Sequence, residues 1–179
     1  MTDTRRSKRL SYWLRHAPET VALQLDSAGW AQTEAVLKAL ETAGLLTTMK
    51  DLEALVASND KQRFELTPDK RQIRARQGHS IDIQGDWPVA VPPEVLYHGT
   101  AERFVQTILE QGLMPGKRHH VHLSSKVELA EAVGRRKGHP AVLAVAAHNM
   151  GKDGFSFRLS SNGVWLADYV PPAYLRRVD

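Results

Sequence analysis

The sequence predicts an α+β protein made of two lobes that are joined by a short linker. In the first half, three segments carry apolar residues at helical spacing and a hairpin pattern follows them. In the second half, short strand-like runs alternate with short helices, and glycine and proline concentrate between the halves. We therefore expect a first lobe over residues 1–80, a linker over 81–94 and a second lobe over 95–179.

Helices dominate the predicted first lobe. The first is expected over residues 7–16, because three apolar residues share one face and Pro18 disfavours its continuation. Alternating apolar residues over 21–25 predict a short extended segment. Thr33 is expected to cap a second helix, which ends near Gly44.

A third helix and a hairpin complete this lobe. Thr47 or Thr48 is expected to cap the helix, and the segments 63–66 and 72–75 are predicted to pair across the turn 67–70. Helix, short strand, helix, helix and hairpin is the order of a winged-helix module, which binds duplex nucleic acid with its third helix. Here that helix carries one lysine and two acidic residues. The order therefore predicts a winged-helix-like fold, while the charges argue against ordinary groove reading.

Strands and short helices alternate in the predicted second lobe. The predicted strands are 95–98, 120–123 and 141–145, and the predicted helices are 103–111 and 126–137. A hairpin of residues 155–159 and 164–168 is also expected, because Asn162-Gly163 is a strong turn signal.

The distribution of charge favours a polyanionic partner. The net charge is +4, from 24 lysines and arginines against 20 acidic residues. Basic residues concentrate in 1–16, 61–76 and 115–139, which indicates a nucleic acid or a phosphorylated ligand, although each cluster alone also fits a solvated helix face. The absence of cysteine excludes disulfides, thiolate metal sites and a cysteine nucleophile.

Export and membrane insertion are not predicted. The basic residues near the start precede no apolar run, and no stretch approaches the roughly 18 apolar residues of a membrane span. We expect a cytoplasmic protein that has no membrane partner. No long apolar stripe demands a second copy, so we expect a monomer.

Two strings in the second lobe each place a histidine in a strand-like run that ends in small and hydroxyl residues. They are Leu96-Tyr97-His98-Gly99-Thr100 and Val121-His122-Leu123-Ser124-Ser125. Because a buried imidazole needs a hydrogen-bond partner, the two strings could line a cleft for a polar ligand. The alternative is a pair of core histidines whose rings bond to backbone carbonyls.

A metal site is another alternative for these histidines. His120 and His122 would face the same side of a strand and could chelate a cation. No carboxylate lies nearby in the sequence, and Lys117 and Arg118 would repel a metal ion, so we expect no metal. The sequence also lacks the nucleophile-elbow, phosphate-loop and dinucleotide-binding strings.

Four further residues are candidates for phosphate chemistry. Arg15 and His16 end the first helix together, Arg63 begins the hairpin and Arg118 precedes the second histidine string. A guanidinium matches phosphate oxygens in pairs, and a histidine can move a proton near neutral pH. Each arginine alone also fits a surface charge, and spacing alone does not bring the four together.

Several short strings stand in order over nearly the whole chain. They are Leu14-Arg15-His16, Asp26 with Gly29-Trp30, Asp60-Lys61-Gln62-Arg63-Phe64, Ile73-Arg74-Ala75-Arg76-Gln77-Gly78-His79-Ser80, the two histidine strings, Gly116-Lys117-Arg118-His119 and Asn162-Gly163-Val164-Trp165-Leu166. In combination they resemble the RNA 2′-phosphotransferase family, and no essential family position is missing.

The resemblance implies a winged-helix-like RNA lobe and an ADP-ribosyltransferase-type lobe that binds NAD⁺. The implied reaction removes an internal 2′-phosphate from RNA, typically at a tRNA splice junction, and consumes NAD⁺ without a metal. It passes through 2′-phospho-ADP-ribosyl RNA and yields 2′-hydroxyl RNA, nicotinamide and ADP-ribose 1″,2″-cyclic phosphate.

The resemblance also assigns roles to residues. The catalytic tetrad of the family falls on Arg15, His16, Arg63 and Arg118. The implied NAD⁺-binding residues are His98, Gly99, Thr100, His122, Ser124, Ser125 and Val164, and the candidate RNA-binding residues are Lys61, Arg74, Gln77 and His79. Val164 stands where many ADP-ribosyltransferases carry a glutamate that helps to activate a neutral acceptor. An apolar residue there agrees with an acceptor that arrives already charged.

Two other functions remain open. One keeps the fold but transfers ADP-ribose to a terminal nucleic-acid phosphate, without a second step. The other is a non-catalytic winged-helix protein that binds RNA or DNA. The intact histidine strings and Arg118 argue against the second of these.

Overall fold

A computed structural model describes residues 2–45, 48–58 and 62–178 of the chain. Helices and small antiparallel sheets are mixed within it, which confirms the predicted α+β class. The chain divides into two compact units, Met1–Asp86 and Trp87–Asp179. In the described part of the chain, no helix is long and apolar enough to cross a membrane.

In the described residues of the first unit, three helices accompany a three-stranded antiparallel sheet. The elements of this unit are α1 (Thr2–Arg15), β1 (Trp30–Gln32), α2 (Thr33–Thr42), α3 (Met49–Ala57), β2 (Phe64–Leu66) and β3 (Gln72–Ala75). Strand β3 lies in the centre of the sheet and pairs with both β1 and β2. The predicted hairpin and the predicted order of helix, strand, helix, helix and hairpin are confirmed.

The short strand of this order lies elsewhere than predicted. Residues 21–25 form no strand, because a turn of 3₁₀-helix over Pro18–Val21 ends in the left-handed residue Ala22, whose φ is +53°. The N–H of Leu23 donates to the carbonyl of Pro18 at 3.0 Å, so local bonds take the place of a ladder. The strand is β1 instead, because its backbone pairs with the distant β3.

The helix starts follow the predicted chemistry at one helix and depart from it at another. Thr48 caps α3 with a capping box. The Thr48 hydroxyl accepts from the N–H of Asp51, and the Asp51 carboxylate accepts from the N–H of Thr48. Thr47, the other candidate, lies outside the described residues. The prediction of a cap at Thr33 is wrong, because β1 runs directly into α2 and the Thr33 N–H donates to the carbonyl of Arg71.

Apolar side chains of the helices and the sheet form the core of the first unit. Trp13 and Leu14 of α1 are buried, and they belong to the same apolar cluster as Phe64 of β2. This burial fixes the end of α1. It therefore also fixes the backbone of Arg15 and His16, which follow directly.

The second unit, as far as residue 178, contains six strands and three α-helices. They are β4 (Leu96–Ala101), α4 (Val105–Gln111), β5 (Val121–Leu123), α5 (Val127–Gly134), β6 (Pro140–Val145), α6 (Ala147–Lys152), β7 (Phe157–Leu159), β8 (Trp165–Ala167) and β9 (Leu175–Val178). One antiparallel sheet has the order β4-β6-β9 and the other has the order β5-β8-β7. An isolated bridge between Tyr97 and Ser124 joins the edge strands β4 and β5.

The predicted strands and the Asn162-Gly163 hairpin of the second unit are confirmed, with shifted ends. The helix predicted over 126–137 ends earlier, at Gly134. Two elements were not predicted. Helix α6 has only six residues, which is too short for a clear helical pattern. Strand β9 contains two adjacent arginines instead of alternating apolar residues, and it forms through its pairing with β6.

The residues predicted as a linker are bonded to the units on either side. In the first unit, the N–H groups of Gln84 and Gly85 donate to the carbonyl of Ser27 at 2.9 and 3.1 Å. In the second unit, the N–H of Ala90 donates to the carbonyl of Phe157 at 2.9 Å. Each part of this segment therefore has a defined conformation within its own unit.

Helix α5 approaches β4 more closely than a side chain would permit. A Cβ added at Gly99 would lie 1.7 Å from the carbonyl oxygen of Ala130, and one added at Gly134 would lie 2.6 Å from that of Thr100. Real Cβ atoms do not approach to these distances, so the contact requires glycine on both elements. Gly99, which the resemblance names as an NAD⁺-binding residue, thus also has a packing role within the protein.

Replacing Gly99 with alanine should lower the free energy of unfolding by about 2 kcal/mol or more, because the helix and the strand must separate locally. Gly151→Ala is the matched control, since its Cβ would meet only Pro92 at 3.5 Å and alanine favours the helical conformation. Urea denaturation of both variants measures the difference. Equal stability of the two variants would contradict the close contact.

Candidate active site

The end of α1 carries two of the predicted catalytic residues. Arg15 is the last residue of the helix and is half-buried, whereas His16 is exposed. The N–H of Ser80 donates to the carbonyl of Arg15 at 2.9 Å, and the Ser80 hydroxyl lies 2.8 Å from Nδ1 of His16. Ser80 thus orients the imidazole through Nδ1, so proton transfer by this ring would use Nε2.

Residues 76–80, the segment that ends at Ser80, also fix the position of Arg63, the third predicted catalytic residue. The carbonyl of Arg63 accepts from the N–H of Arg76 at 2.9 Å, which extends the hairpin by one pair. Four residues further on, Ser80 bonds to Arg15. One stretch of backbone therefore fixes both arginine positions within the first unit.

His79 lies inside the first unit, with 2% of its surface exposed. It packs on the turn at Gly29, where an added Cβ would lie 3.4 Å from Nε2 of His79 and where φ is +83°. The carboxylate of Asp26 holds that turn by accepting from the N–H groups of Ala28 and Trp30, both at 2.9 Å. The Asp26, Gly29 and Trp30 string therefore supports the loop that carries Ser80.

Arg74, a predicted RNA-binding residue, lies in a network of interactions within the first unit. Its guanidinium pairs with the carboxylates of Glu65 and Asp86, donates to the carbonyl of Ala28 and stacks over the ring of Trp30 at 4.4 Å. The side chain is 13% exposed. A contact between Arg74 and RNA would have to compete with these partners.

The other predicted RNA-binding residues are less informative. Gln77 is half-buried in segment 76–80. Lys61 lies outside the described residues. RNA binding by these residues stays a prediction.

The two histidine strings form neighbouring strands, and their rings lie close to each other's backbone. Nδ1 of His98 lies 3.1 Å from the carbonyl oxygen of His122. A carbonyl only accepts, so Nδ1 carries the proton and Nε2 remains an acceptor. Burial is the main cause that lowers the pKa of His98 from 6.5 to about 4, and the charges of Lys137 and Arg118 add to it, against the hydrogen bond to His122. The ring is therefore neutral at pH 7.

Arg118 reaches the second histidine from the preceding loop. Its Nη1 lies 3.3 Å from Nδ1 of His122. A guanidinium can only donate, so Nδ1 is the acceptor and the proton of the ring is on Nε2. Partial burial lowers the pKa of Arg118, but a guanidinium stays charged at neutral pH. Arg118 is thus an oriented cation beside two imidazole rings.

Lys137 joins this group, although the sequence-based reasoning did not select it. Its N–H donates to the carbonyl of Gly134 at 2.8 Å, which places it in the turn that follows α5. Burial, followed by the charge of Arg118, lowers the pKa of the Lys137 ammonium. The only sequence signal was a basic run over 135–137, which any solvated helix end can carry.

The remaining predicted NAD⁺-binding residues lie in different environments. Thr100 is 2% exposed. The hydroxyl of Ser124 donates to the carbonyl of Lys126 at 3.1 Å, which orders the chain at the start of α5. Ser125 is exposed, and Val164 is half-buried in the turn before β8.

His120, considered above as a metal ligand, has contacts that differ from those of His122. It lies 3.4 Å from the carboxylate of Asp168, and its ring meets Trp87 edge-on at a centroid distance of 5.4 Å. Burial lowers the pKa of His120, while the charge of Asp168 opposes this shift. Among residues 2–45, 48–58 and 62–178, no three side chains of histidine, cysteine, aspartate or glutamate are arranged to hold a metal ion.

Arginine and lysine side chains are the usual protein ligands of phosphate groups, and comparison with known proteins indicates a family that acts on phosphate. The family model "RNA 2′-phosphotransferase, Tpt1/KptA family" matches residues 1–169. A protein of Burkholderia lata named "Probable RNA 2′-phosphotransferase" is 51% identical over 177 residues, which cover 98% of this chain and 91% of that protein.

Proteins with the same name from Hahella chejuensis and Agrobacterium fabrum are 49% and 50% identical. Each match covers 97% of this chain, and the matches cover 94% and 93% of those proteins. The chain belongs to the RNA 2′-phosphotransferase family, a family of transferases, and the resemblance of its strings is confirmed.

His98→Asn tests the neutral imidazole. In the unfolded chain the histidine has its ordinary pKa of 6.5, whereas in the folded protein the pKa of His98 is about 4. Between these two pH values the unfolded state binds a proton that the folded state does not bind, so the free energy of unfolding falls as the pH falls. Between pH 7 and pH 5 the wild-type protein should therefore lose about 2 kcal/mol more unfolding free energy than the variant. Urea denaturation at both values measures it, and equal losses would contradict the buried neutral ring.

Proposed function

We propose that the protein removes an internal 2′-phosphate from RNA and transfers it to NAD⁺. The family supports the 2′-phosphate of RNA as the substrate. The observation that supports NAD⁺ as the co-substrate is the group around His98. There the neutral imidazole offers a hydrogen-bond acceptor near the cations of Arg118 and Lys137. In the described part of the chain, neither cation pairs with a carboxylate.

The architecture supports separate roles for the two units. In the first unit, the element order and the sheet order β1-β3-β2 support a winged-helix-like RNA lobe. In the second, two small antiparallel sheets that carry the histidine strings on adjacent edge strands support an ADP-ribosyltransferase-type lobe. The first would supply Arg15, His16 and Arg63, and the second would supply Arg118.

The residues of the second unit fit a dinucleotide. Nε2 of His98 can accept from a ribose hydroxyl, and Arg118 and Lys137 can offset the negative charge of a diphosphate. The hydroxyl of Ser125 is exposed and can bond to a polar edge. When bound, NAD⁺ supplies a ribose carbon whose leaving group is neutral nicotinamide.

In the first step, an oxygen of the RNA 2′-phosphate forms a bond to C1″ of the nicotinamide ribose. The bond from C1″ to nicotinamide breaks, and its electron pair leaves with the nicotinamide nitrogen. The nucleophile is already an anion, so no general base is needed, and the apolar Val164 agrees with this. Arg15 and Arg63 would hold the phosphate. The product of this step is 2′-phospho-ADP-ribosyl RNA.

In the second step, the ribose 2″-hydroxyl oxygen bonds to phosphorus and the RNA 2′-oxygen leaves. Negative charge gathers on the phosphoryl oxygens, where Arg15, Arg63 and Arg118 would stabilise it. The proton of the hydroxyl passes to the leaving oxygen, and His16 would carry it, with its ring held by Ser80. The products are 2′-hydroxyl RNA and ADP-ribose 1″,2″-cyclic phosphate.

The wild-type protein tests this proposal directly. Incubation with NAD⁺ and an RNA that carries an internal 2′-phosphate should release nicotinamide, 2′-hydroxyl RNA and the cyclic phosphate, identified by mass spectrometry. Nicotinamide release with ADP-ribose left on a terminal phosphate would instead indicate a capping transferase. Binding of the RNA without nicotinamide release would indicate a non-catalytic protein.

His16→Ala should slow the second step more than the first, because only the second step moves a proton. Phospho-ADP-ribosylated RNA should accumulate to a visible fraction in single-turnover gels, while nicotinamide release continues. His148→Ala is the control, because it removes an imidazole from α6 and should leave both steps unchanged. Release of the full product by His16→Ala at the wild-type rate would show that His16 is not the proton-transfer group.

Arg63→Ala should reduce turnover by about 100-fold or more, because a guanidinium that stabilises the phosphoryl oxygens is removed. The midpoint of urea denaturation should hardly change, because the backbone of Arg63, rather than its side chain, extends the hairpin. Arg71→Ala removes an exposed guanidinium from the same hairpin and should retain activity. Loss of cooperative unfolding in Arg63→Ala would instead indicate a structural role.

A further inference from the structure

Lys137 is held at the edge of the histidine strands by the close contact between α5 and β4. Gly134 rests against the carbonyl of Thr100, and the N–H of Lys137 donates to the carbonyl of Gly134 at 2.8 Å. The backbone of Lys137 is therefore fixed within one helical turn of the contact. The residue as a whole is exposed to solvent, while its ammonium group is partly buried.

Two cations are brought together here without an acidic partner. Burial is the main cause that lowers the pKa of His98 and of the Lys137 ammonium; the charges of Lys137 and Arg118 add to it at His98, and the charge of Arg118 adds to it at Lys137. Among the residues that the structure describes, no carboxylate pairs with either cation. Like charges at close range repel each other, and a bound anion relieves this repulsion.

The neighbouring basic residues are placed differently. The guanidinium of Arg135 pairs with Glu131 at 2.7 Å, one helical turn earlier. Arg136 is exposed, and no described side chain interacts with it. The convergence with Arg118 is thus a property of Lys137 and not of the basic run as a whole.

We propose that Lys137 and Arg118 form a phosphate-binding subsite of the second unit, in which the Lys137 ammonium donates to a phosphate oxygen of the substrate or the co-substrate. This inference rests on the proposed function, which brings two sources of phosphate to the protein: the diphosphate of NAD⁺ and the 2′-phosphate of the RNA. The arginine offers a fixed fork to two oxygens, and the lysine adds a compact charge with three donors.

Binding measurements test the subsite without relying on turnover. Isothermal titration calorimetry compares three probes: ADP-ribose, a 2′-phosphorylated dinucleotide, and adenosine, which has no phosphate. Lys137→Met should weaken the binding of at least one phosphate-bearing probe about tenfold or more, while adenosine binding should change less than twofold. Lys137→Arg should restore most of the affinity.

Arg136→Met is the matched control, because it removes the same charge from the adjacent exposed position and should change each dissociation constant less than twofold. A loss confined to ADP-ribose would assign the subsite to the diphosphate, and a loss confined to the dinucleotide would assign it to the RNA phosphate. If thermal denaturation shows that Lys137→Met is less stable than Arg136→Met, Lys137→Gln replaces it in the same comparison.

Two results would overturn the inference. One is a dissociation constant for both phosphate-bearing probes that is the same in the Lys137 and Arg136 variants. The other is failure of the wild-type protein to bind either of these probes. The proposed function fails separately, if the wild-type protein binds the probes but releases no nicotinamide from NAD⁺ in the presence of 2′-phosphorylated RNA.

Discussion

The backbone contact between α5 and β4 at Gly99 determines the geometry of the second unit's site. Because no side chain separates the two elements, the turn that follows α5 lies beside the strand that carries His98. The edge of the same strand meets β5, which carries His122, and the loop before β5 carries Arg118. Three separate stretches of chain thus contribute to one group, and this group depends on a glycine that has no functional atom of its own.

The site residues of the first unit are positioned by a comparable use of backbone bonds. Segment 76–80 continues the hairpin, bonds to the carbonyl of Arg63 and ends at Ser80, which holds both the backbone of Arg15 and the ring of His16. Main-chain bonds of this kind fix the positions of the two arginines through their backbone. They also explain why the string that ends in Ser80 accompanies the arginines in the sequence, since it holds them in place.

The electrostatics of the second unit favour anions and keep the His98 imidazole neutral. Burial and two nearby cations disfavour a further positive charge, so His98 presents a lone pair rather than a proton at neutral pH. Arg118 keeps its charge at neutral pH, and neither Arg118 nor Lys137 pairs with a carboxylate in the described part of the chain. A ligand that combines hydroxyl groups with phosphate matches both properties, as a dinucleotide does. This complementarity connects the fold to the proposed chemistry.

The sequence by itself determined the longer helices and the two hairpins, because helical periodicity and turn residues are local properties. It misplaced the short strand of the first unit, because β1 exists only through its pairing with the distant β3. It also missed Lys137, and it named Arg74 as a candidate RNA-binding residue without indicating that its guanidinium pairs with Glu65 and Asp86. Tertiary structure alone decided these points, because burial and the proximity of charges depend on residues that are far apart in the sequence.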